Sequence, residues 1–435
     1  MRLEIGNFHV KDMVFGDATA FSNGVLTINK KEALDVVFED AHITEAELHI
    51  VKPGDMVRIT PVKDAFEPRC KVTGNSIFPG FFDSFEPVGQ GRTHALKECS
   101  VLSVGKHWGC FQDGLIDMGG EFQNHTIFGS MTNLVLVAET DEEFEKRAFQ
   151  KRNIAHRKAG MRLAKYLGEC LRHLEPEDVE VYDLPPLGKR GSDVESLPRV
   201  AYIMKVLAQW EDRGYNAEYY GWDTKRILPM YVHPNEILDG AIAGGSFTPA
   251  SNNMSTYSFQ NNSIVKKLMK EHGKEINFLG VILSNETVEL SEKKLCVLTD
   301  SRLAQALGAD GVIISREGYG NADVGFMLTI AELEKMGIKT VGAVNECTGR
   351  DGASQPMVLM RKEADALVST GNVSEILELP SMPVVLGDLE SIARDGCGGG
   401  WEGCVREDGS LTIEAQAFLD GDAQTGDSIK RCAEF

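Results

Sequence analysis

The sequence feature that most constrains the fold is a regular alternation of apolar runs and helical stretches in the second half of the chain. The apolar runs have the length and composition of buried strands, and they span residues 199–203, 277–283, 311–314 and 340–344. Helical patterns at 301–307 and 328–336 separate the later runs. Strands that alternate with helices join through crossovers, which predicts a parallel sheet with helices on both faces. The expected fold class is α/β.

The first part of the chain has a different pattern. Short apolar runs at 25–28, 35–38 and 56–60 are separated by turn-forming pairs such as Asn-Gly, Pro-Gly and Thr-Gly. Strand-length runs punctuated in this way predict a β-rich N-terminal domain.

A long helix is expected between these two parts. Residues 141–174 begin with Asp141, Glu142 and Glu143 and continue with a helical apolar periodicity, so the acids would lie at the positive end of the helix dipole. We therefore expect four regions: a β-rich domain at 1–105, a loop and long-helix connecting region at 106–190, an α/β region with the site loops at 191–390, and an irregular tail at 391–435.

Charge and cysteine content narrow the function. The chain has 65 acidic and 45 basic residues, a formal net charge of -20. Such a chain repels nucleic-acid phosphates and gains nothing from anionic lipid, so we expect neither partner. We see no signal peptide and no apolar run of membrane length. The nine scattered cysteines are typical of reduced thiols, which favours a cytoplasmic location.

Short cofactor motifs are mostly missing. Gly89-Gln90-Gly91 has His94 where a dinucleotide fingerprint needs its third glycine, which disfavours a nicotinamide-dependent oxidoreductase. Six residues separate Cys397 from Cys404, and we favour independent thiols over a metal or redox pair there. No metal site is predicted.

Three polar stretches are more informative. They span residues 233–241, 315–323 and 345–352, and the last two directly follow predicted strands. Loops at the carboxyl ends of parallel strands are where α/β proteins usually bind ligands. These loops are rich in Gly, Asn, acids and Arg, a composition that presents polar groups. Tight turns with capping side chains are the alternative interpretation for each residue.

Together these stretches resemble one family, the alpha (alpha-plus-beta proprotein) subunits of component B of glycine, sarcosine and betaine reductases. The resemblance covers nearly the whole chain. The stretches that carry it are 2–7, 233–239, 260–262, 317–321, 345–352, 354–356, 370–373, 393–396 and 434–435.

The resemblance implies an oxidoreductase that works only within a complex. In this family, component B holds a glycine-type amine and presents its α-carbon to a selenocysteine on a companion selenoprotein subunit. The amine leaves, component A receives the carboxymethyl group, component C releases acetyl phosphate, and the thioredoxin system supplies electrons. This chain contains no selenocysteine of its own. A scaffold that only positions the selenoprotein is an alternative role.

The absence of a mid-chain cysteine indicates which of the family's substrates this chain uses. The resemblance implies that glycine-specific members are proproteins, self-cleaved near mid-chain at a cysteine that becomes a pyruvoyl group. In this chain no cysteine lies between Cys170 and Cys296. Glycine betaine is a quaternary ammonium without a lone pair, so it forms no imine with a pyruvoyl carbonyl. We therefore favour betaine as substrate and no cofactor in this chain. Sarcosine and glycine stay open, because Ser246, Ser251 and Ser255 are chemically competent pyruvoyl precursors.

Betaine recognition requires aromatic faces, a carboxylate near its cation and a base for its own carboxylate. Each ring that faces a cation contributes about 0.5–2 kcal/mol. The candidate aromatic cage comprises Tyr219, Tyr220, Trp222 and Tyr257, with Tyr215 and Phe259 nearby. Ordinary core packing of these rings is the alternative.

The loop candidates complete the set of predicted site residues. Arg350 is expected to bind the substrate carboxylate, because a guanidinium pairs with it in bidentate geometry. The remaining candidates are Glu317, Glu346 and Asp351 for the ammonium, together with His233, Tyr319 and Cys347. A helix-capping role for His233 and a buried apolar role for Cys347 are the alternatives.

Overall fold

The computed structural model describes residues 1–74, 76–82, 85–106, 113–141, 149–210, 215–245, 250–393 and 398–425, without the side chains of 149–152. The strands are β1 (Arg2–His9), β2 (Asp12–Gly16), β3 (Ala20–Ser22), β4 (Val25–Asn29), β5 (Ile43–Val51), β6 (Val57–Phe66), β7 (Arg69–Lys71), β8 (Gly91–Lys97), β9 (Cys99–Gly105), β10 (Gly114–Asp117), β11 (Thr132–Thr140), β12 (Asp178–Asp183), β13 (Arg199–Leu207), β14 (Glu218–Tyr219), β15 (Trp222–Asp223), β16 (Met230–Val232), β17 (Ile242–Ala243), β18 (Asn277–Glu286), β19 (Gly311–Arg316), β20 (Lys339–Glu346), β21 (Leu367–Asn372), β22 (Ile376–Leu379), β23 (Val384–Gly387) and β24 (Leu411–Glu414). The α-helices are α1 (Lys30–Val37), α2 (Phe149–Glu169), α3 (Ser192–Glu195), α4 (Pro234–Leu238), α5 (Thr256–Gln260), α6 (Ser263–Glu271), α7 (Leu290–Ala306), α8 (Asn321–Lys335) and α9 (Glu390–Ala393). Short 3₁₀ turns span Gln123–His125, Ile127–Ser130, Thr224–Arg226 and Ala415–Ala417.

The alternating half of the sequence folds as predicted. Its sheet has the order β16-β18-β13-β19-β20-β21, in which β16 is antiparallel to β18 and the other neighbours are parallel. Ala201 and Ile203 of β13 pack in one core with residues of α7 and α8, whereas Tyr202 and Met204 pack in another with residues of α6. Successive strand residues point to opposite faces, so helices cover both sides of the sheet. The α/β fold class is confirmed.

The strand order creates a crevice at the carboxyl edge of this sheet. From the central strand β13 the chain moves first to β18 on one side and then to β19 on the other. Connections that leave neighbouring strands in opposite directions open a crevice beyond their carboxyl ends, the usual ligand site of an open α/β sheet. Leu207 ends β13 here, and Glu317 follows β19 directly.

The N-terminal part builds two further sheets. One has the order β12-β1-β8-β7 and the other β10-β6-β9-β11-β5, with β23 added in parallel beside β6. The core that joins them to α2 includes Phe66, Leu136, Leu163 and Leu167, all fully buried. The strands predicted at 25–28 and 56–60 are confirmed as β4 and β6.

One N-terminal prediction is wrong. The run at 35–38 was expected to be a strand, but 35–37 belong to α1. The Asn29 side chain accepts hydrogen bonds from the backbone amides of Lys31 and Glu32, which caps the start of a helix. Ala33 and Val37, four residues apart, then lie on the one buried face.

The long helix is confirmed as α2, between 149 and 169. The predicted end at 174 is wrong, because residues 170–174 form turns and a bend. Asp141 follows β11, while Glu142 and Glu143 lie outside the described residues, so their predicted place at the helix start stays a prediction. Among the helices that the structure describes, none is long and apolar enough to cross a membrane.

Candidate functional site

Glu317 lies in the crevice between β13 and β19. Its side chain is buried, with Oε2 accepting a hydrogen bond from the Leu207 amide (2.9 Å) and Oε1 accepting one from the Met254 amide (2.9 Å). Burial raises the pKa of this carboxyl to about 7. The predicted site residue thus joins the ends of two strands to the segment that leads into α5.

A second buried carboxyl, Asp420, holds the start of α5. Its Oδ1 accepts from the Ser255 amide (3.1 Å), and its Oδ2 accepts from the hydroxyls of Ser255 (2.5 Å) and Ser258 (2.6 Å). Burial raises the pKa of Asp420 to about 7. Asp64 accepts from the amide and hydroxyl of Thr256 in the same turn (2.8 and 2.7 Å). Sequence reasoning missed both aspartates, because each lies more than a hundred residues from its partners.

These carboxyls predict a specific pH dependence of stability. Burial raises the pKa of Glu317 from 4.5, and that of Asp420 from 3.8, to about 7. Between those limits the folded chain holds protons that the unfolded chain has released, so this stabilisation is complete at low pH and is lost as pH rises through about 7. We expect the free energy of unfolding to fall less steeply with pH in Asp420→Asn than in the parent chain. Urea denaturation from about pH 5 to 8 tests this; parallel curves would contradict it.

A layer of buried charge underlies the crevice. Lys205 of β13 donates to Asp300 Oδ2 (3.0 Å) and to Ser284 Oγ (3.0 Å), and its Nζ lies 3.8 Å from Glu286 Oε2. Lys293 pairs with Glu286 in turn. All these side chains are buried. Buried charges are tolerated only when paired and hydrogen-bonded, so this layer fixes β13 and β18 against α7.

Arg316 extends the charged layer under the loop after β19. Its guanidinium pairs with Asp323 of α8 and donates to Asn345 Oδ1 of β20 (3.0 Å). The Phe326 ring lies 5.7 Å from its guanidinium carbon. These contacts hold the loops after β19 and β20 at fixed positions relative to α8.

Arg350 and Tyr319 are brought together by the C-terminal segment. Arg350 Nε donates to Glu414 Oε1 (2.5 Å), and the guanidinium lies 4.2 Å from the centre of the Trp401 ring. Gln416 bonds to the other oxygen of Glu414 and accepts from the Tyr319 hydroxyl (3.0 Å). Trp401, Glu414 and Gln416 were not predicted; they lie in a region that the sequence marked only as irregular.

The rest of the 345–352 loop has turn-forming contacts. Cys347 Sγ lies 3.4 Å from Ser374 Oγ, and the carbonyl of Glu346 accepts from the Val373 amide (2.9 Å). Asp351 is exposed and accepts from the Ala353 amide (3.1 Å). Cys347 is half-buried and Asp351 borders solvent, so both are accessible to a ligand at this edge.

The predicted aromatic cage is only partly assembled. The rings of Tyr219 and Tyr220 meet edge to face at 4.7 Å, and Trp222 lies opposite Tyr219 in a strand pair but is 63% exposed. Both tyrosine hydroxyls donate to Glu236 Oε1 (3.1 and 2.9 Å), and burial raises the pKa of both phenols. Tyr257 lies elsewhere, edge to face with Phe128 at 5.3 Å.

The two other rings considered with the cage lie apart from it. Tyr215 stacks on Trp210 with ring centres 5.1 Å apart. Phe259 is fully buried in a core that covers the parallel sheet.

His233 caps the helix that carries Glu236. Its Nδ1 accepts from the Asn235 amide (3.2 Å), its Nε2 lies 3.3 Å from the Leu184 carbonyl, and Glu236 reaches back to the His233 amide (2.9 Å). Burial lowers the imidazole pKa to about 4. The ring is therefore neutral at pH 7, with its proton on Nε2 facing the carbonyl. Such a capping box accounts for the histidine and glutamate of this motif.

Two cysteines and three serines that the sequence singled out remain to be placed. Burial raises the pKa of the Cys404 thiol, and Cys397 lies outside the described residues. Of the candidate serines, Ser251 is fully buried, Ser255 caps α5 and Ser246 lies outside the described residues.

Comparison with known proteins now identifies the family. A profile described as glycine/sarcosine/betaine reductase component B subunits matches residues 1–433. This chain belongs to that family. The reductase component resembles the betaine reductase complex component B subunit alpha of Peptoclostridium acidaminophilum, with 55% identity over the full length of both chains.

Relatives with other substrates in their names are less similar to this reductase component. Identity is 40% to the glycine reductase complex component B subunits alpha and beta of Acetoanaerobium sticklandii, over 98% of each chain. It is 39% to the sarcosine reductase complex component B subunit alpha of Peptoclostridium acidaminophilum, over 96% of each chain. No solved structure matches the chain.

Proposed function

We propose that this chain is the alpha subunit of component B of a betaine reductase. The observation that carries this proposal is the difference in identity: 55% to the betaine-type relative, against 40% and 39% to the glycine and sarcosine types. The reaction is reductive cleavage of the carbon–nitrogen bond of glycine betaine. A selenolate forms a bond to the α-carbon, and the electron pair of the breaking bond leaves with trimethylamine. The carboxymethyl group stays on selenium.

Partners supply what this chain lacks. We propose that the selenoprotein subunit of component B provides the selenolate, that components A and C carry the product to acetyl phosphate, and that the thioredoxin system restores the reduced selenium. A cytoplasmic location, where thiols stay reduced, suits this chemistry.

For the substrate we propose the carboxyl edge of the parallel sheet. Among the described residues, Arg350 has one hydrogen-bond partner, Glu414, which engages Nε. Its terminal amino groups are therefore available to a carboxylate in a planar, two-point contact. Tyr319 lies in the loop after β19, and Glu346 and Asp351 lie at the end of β20 and in the loop that follows. Trp401 of the C-terminal segment lies against Arg350, so these four residues provide rings and charge for the trimethylammonium. The Glu317 carboxyl fixes the backbone around the crevice by accepting hydrogen bonds from its amides. Cys347 belongs to the neighbouring loop.

The cage of Tyr219, Tyr220 and Trp222 stays a separate prediction. Because Tyr220 is buried and Tyr219 is half-buried, the exposed Trp222 ring is the part of this cluster that is most open to a cation. An unchanged affinity for betaine after Trp222→Ala would show that this cluster does not bind the substrate.

Arg350→Lys tests the proposed carboxylate contact. Lysine keeps the charge but loses the planar fork, so we expect the KM for betaine to rise about tenfold, with little change in unfolding free energy. Arg406→Lys is the matched control, because both arginine side chains are 45% exposed and each pairs with a glutamate. Equal effects of the two substitutions on KM would contradict the assignment.

Betaine binding by the isolated chain separates a substrate subunit from a scaffold. We expect methyl-labelled betaine to bind the purified chain without the selenoprotein, and to be displaced less well by glycine. Equilibrium dialysis measures this directly. Binding only after the selenoprotein is added favours the scaffold role.

We further propose that the chain has no pyruvoyl group. Two of the three candidate serines fall in the described part of the chain, and both are engaged or enclosed: the Ser255 hydroxyl donates to Asp420 and accepts from the Ser258 amide, and Ser251 is fully buried. Betaine also cannot form an imine with such a carbonyl. Intact mass is expected to show one polypeptide of 47.7 kDa. Two fragments, one with a blocked terminus, would move the substrate to glycine or sarcosine.

A further inference from the structure

A cavity lies away from the carboxyl edge of the parallel sheet, among elements that do not belong to that sheet. It has a volume of about 570 Å³ and is lined by residues of β1, β8, β12, α5 and α6 and of the loops beside them. Tyr257, which does not join the other predicted cage residues, is part of its wall. The reductase chemistry proposed above uses none of its charged groups.

Two lysines converge at one end of this cavity. Lys266 Nζ lies 2.8 Å and Lys97 Nζ 3.5 Å from the same oxygen, Asn261 Oδ1. Lys97 also donates to Glu67 Oε1 (2.8 Å), while Arg69 donates to the other oxygen of Glu67 (2.6 Å). Lys97 and Arg69 thus share the Glu67 carboxylate, whereas the partner of Lys266 is a neutral amide. Basic groups therefore outnumber the carboxylates in direct contact with them at this end.

Lys266 carries the unbalanced charge. In the described part of the chain, no carboxylate lies within ion-pair distance of its ammonium, and Asn261 is its hydrogen-bond partner. Burial, together with repulsion from Lys97, lowers the pKa of Lys266 to about 8. A half-buried ammonium whose hydrogen-bond partner is a neutral amide gains from an anion, because a carboxylate adds the attraction of opposite charges to the hydrogen bond.

The other walls restrict which anion fits. Glu98 and Glu180 line the same cavity, so a multiply charged anion is repelled. Ile127, Met131 and Tyr257 add apolar surface. This combination suits one negative charge on a small body that is apolar or cationic.

We propose that this cavity binds a small monocarboxylate, which Lys266 and Lys97 hold by their ammonium groups. Asn261 keeps the two ammonium groups in place. Two sources share this chemistry: an acetate-sized carboxylate, and the carboxylate end of a zwitterion such as glycine betaine. The site stands whether or not betaine is the substrate of the complex, since it depends only on the two lysines and the cavity.

Calorimetric titration of the full chain with sodium acetate, glycine betaine and sodium phosphate at pH 7 tests the proposal. We expect at least one of the two carboxylates to bind, and Lys266→Met to weaken that binding about tenfold through loss of a charge-assisted contact. Lys270→Met, an exposed position on the same helix, is expected to leave it unchanged. Binding of acetate alone identifies the first source, and binding of betaine that depends on Lys266 identifies the second. Binding of neither carboxylate, binding of phosphate alone, or equal binding to both variants would overturn the proposal.

A second measurement uses the unsubstituted chain, so it does not depend on whether a variant folds. At pH 8 we expect the Lys266 amine, whose pKa is lowered, to react faster with an acylating reagent than the amine of the exposed Lys270. Peptide mass spectrometry measures the labelling of each lysine. The bound carboxylate is expected to slow labelling of Lys266 but not of Lys270. Labelling of Lys266 that is insensitive to acetate and betaine would reject the site. The proposed function is decided separately by turnover in the complete complex.

Discussion

Lys205→Met is expected to lower the free energy of unfolding by about 3–5 kcal/mol, because it leaves the buried Asp300 carboxylate without its compensating charge, while Glu286 keeps Lys293. Asp300 loses its direct partner at 3.0 Å, and Glu286 loses the ammonium at 3.8 Å. The Lys205 side chain is about 1% exposed, so water cannot replace it without opening the sheet. Urea unfolding followed by circular dichroism measures the change.

Two further variants separate charge from packing. Adding Asp300→Asn to Lys205→Met removes one uncompensated charge and is expected to recover part of the lost stability. Lys294→Met, an exposed position on the same helix as Asp300, is the matched control and is expected to change little. If Lys205→Met costs no more than Lys294→Met, or if the double variant is the least stable, the charged layer does not stabilise the sheet as described.

Glu317→Ala is expected to cost about 2–6 kcal/mol, because it leaves two buried amides without acceptors at about 1–3 kcal/mol each. The amides are those of Leu207, at the end of β13, and Met254, in the segment before α5. Their hydrogen exchange should accelerate along with the loss of stability. Denaturant unfolding and amide exchange measured on the same variant give both results.

A conservative variant sharpens the test of Glu317. Glu317→Gln keeps one acceptor oxygen but turns an amino group toward the other backbone amide, so we expect a smaller loss than in Glu317→Ala. Glu375→Ala, an exposed glutamate, provides the control. Indistinguishable stabilities for Glu317→Ala and Glu375→Ala would show that the crevice does not depend on this carboxyl.

Periodicity predicted the parallel sheet well, because its central strands β13 and β18 are buried on both faces and have continuous apolar runs. It failed at 35–38, where a short amphipathic helix and a strand-length run contain the same apolar residues. The deciding signal was the Asn29 cap, eight residues before Val37. The pairing of β23 with β6 spans more than three hundred residues, and no local pattern announces it.

The placement of the candidate site loops was predictable, because it depends only on which residues follow a strand of the parallel sheet. Glu317 and Arg350 follow β19 and β20, and the rule for parallel sheets places both at the ligand edge. Glu414 and Trp401, which contact Arg350, were missed, and so was Asp420, which holds the start of α5. Their buried or paired roles depend on contacts that only the folded chain creates. The aromatic cage shows the opposite error, since closeness in sequence did not bring Tyr257 to Tyr219.

The most direct test of the account is the substrate choice of the reconstituted complex. This chain, combined with its selenoprotein subunit, components A and C and a reduced thioredoxin system, is offered betaine, sarcosine and glycine separately, and the released amine is quantified. We predict trimethylamine from betaine, with little methylamine from sarcosine or ammonia from glycine. Preferential release of methylamine or ammonia, or no amine release from betaine by a complex that is otherwise active, would contradict the assignment.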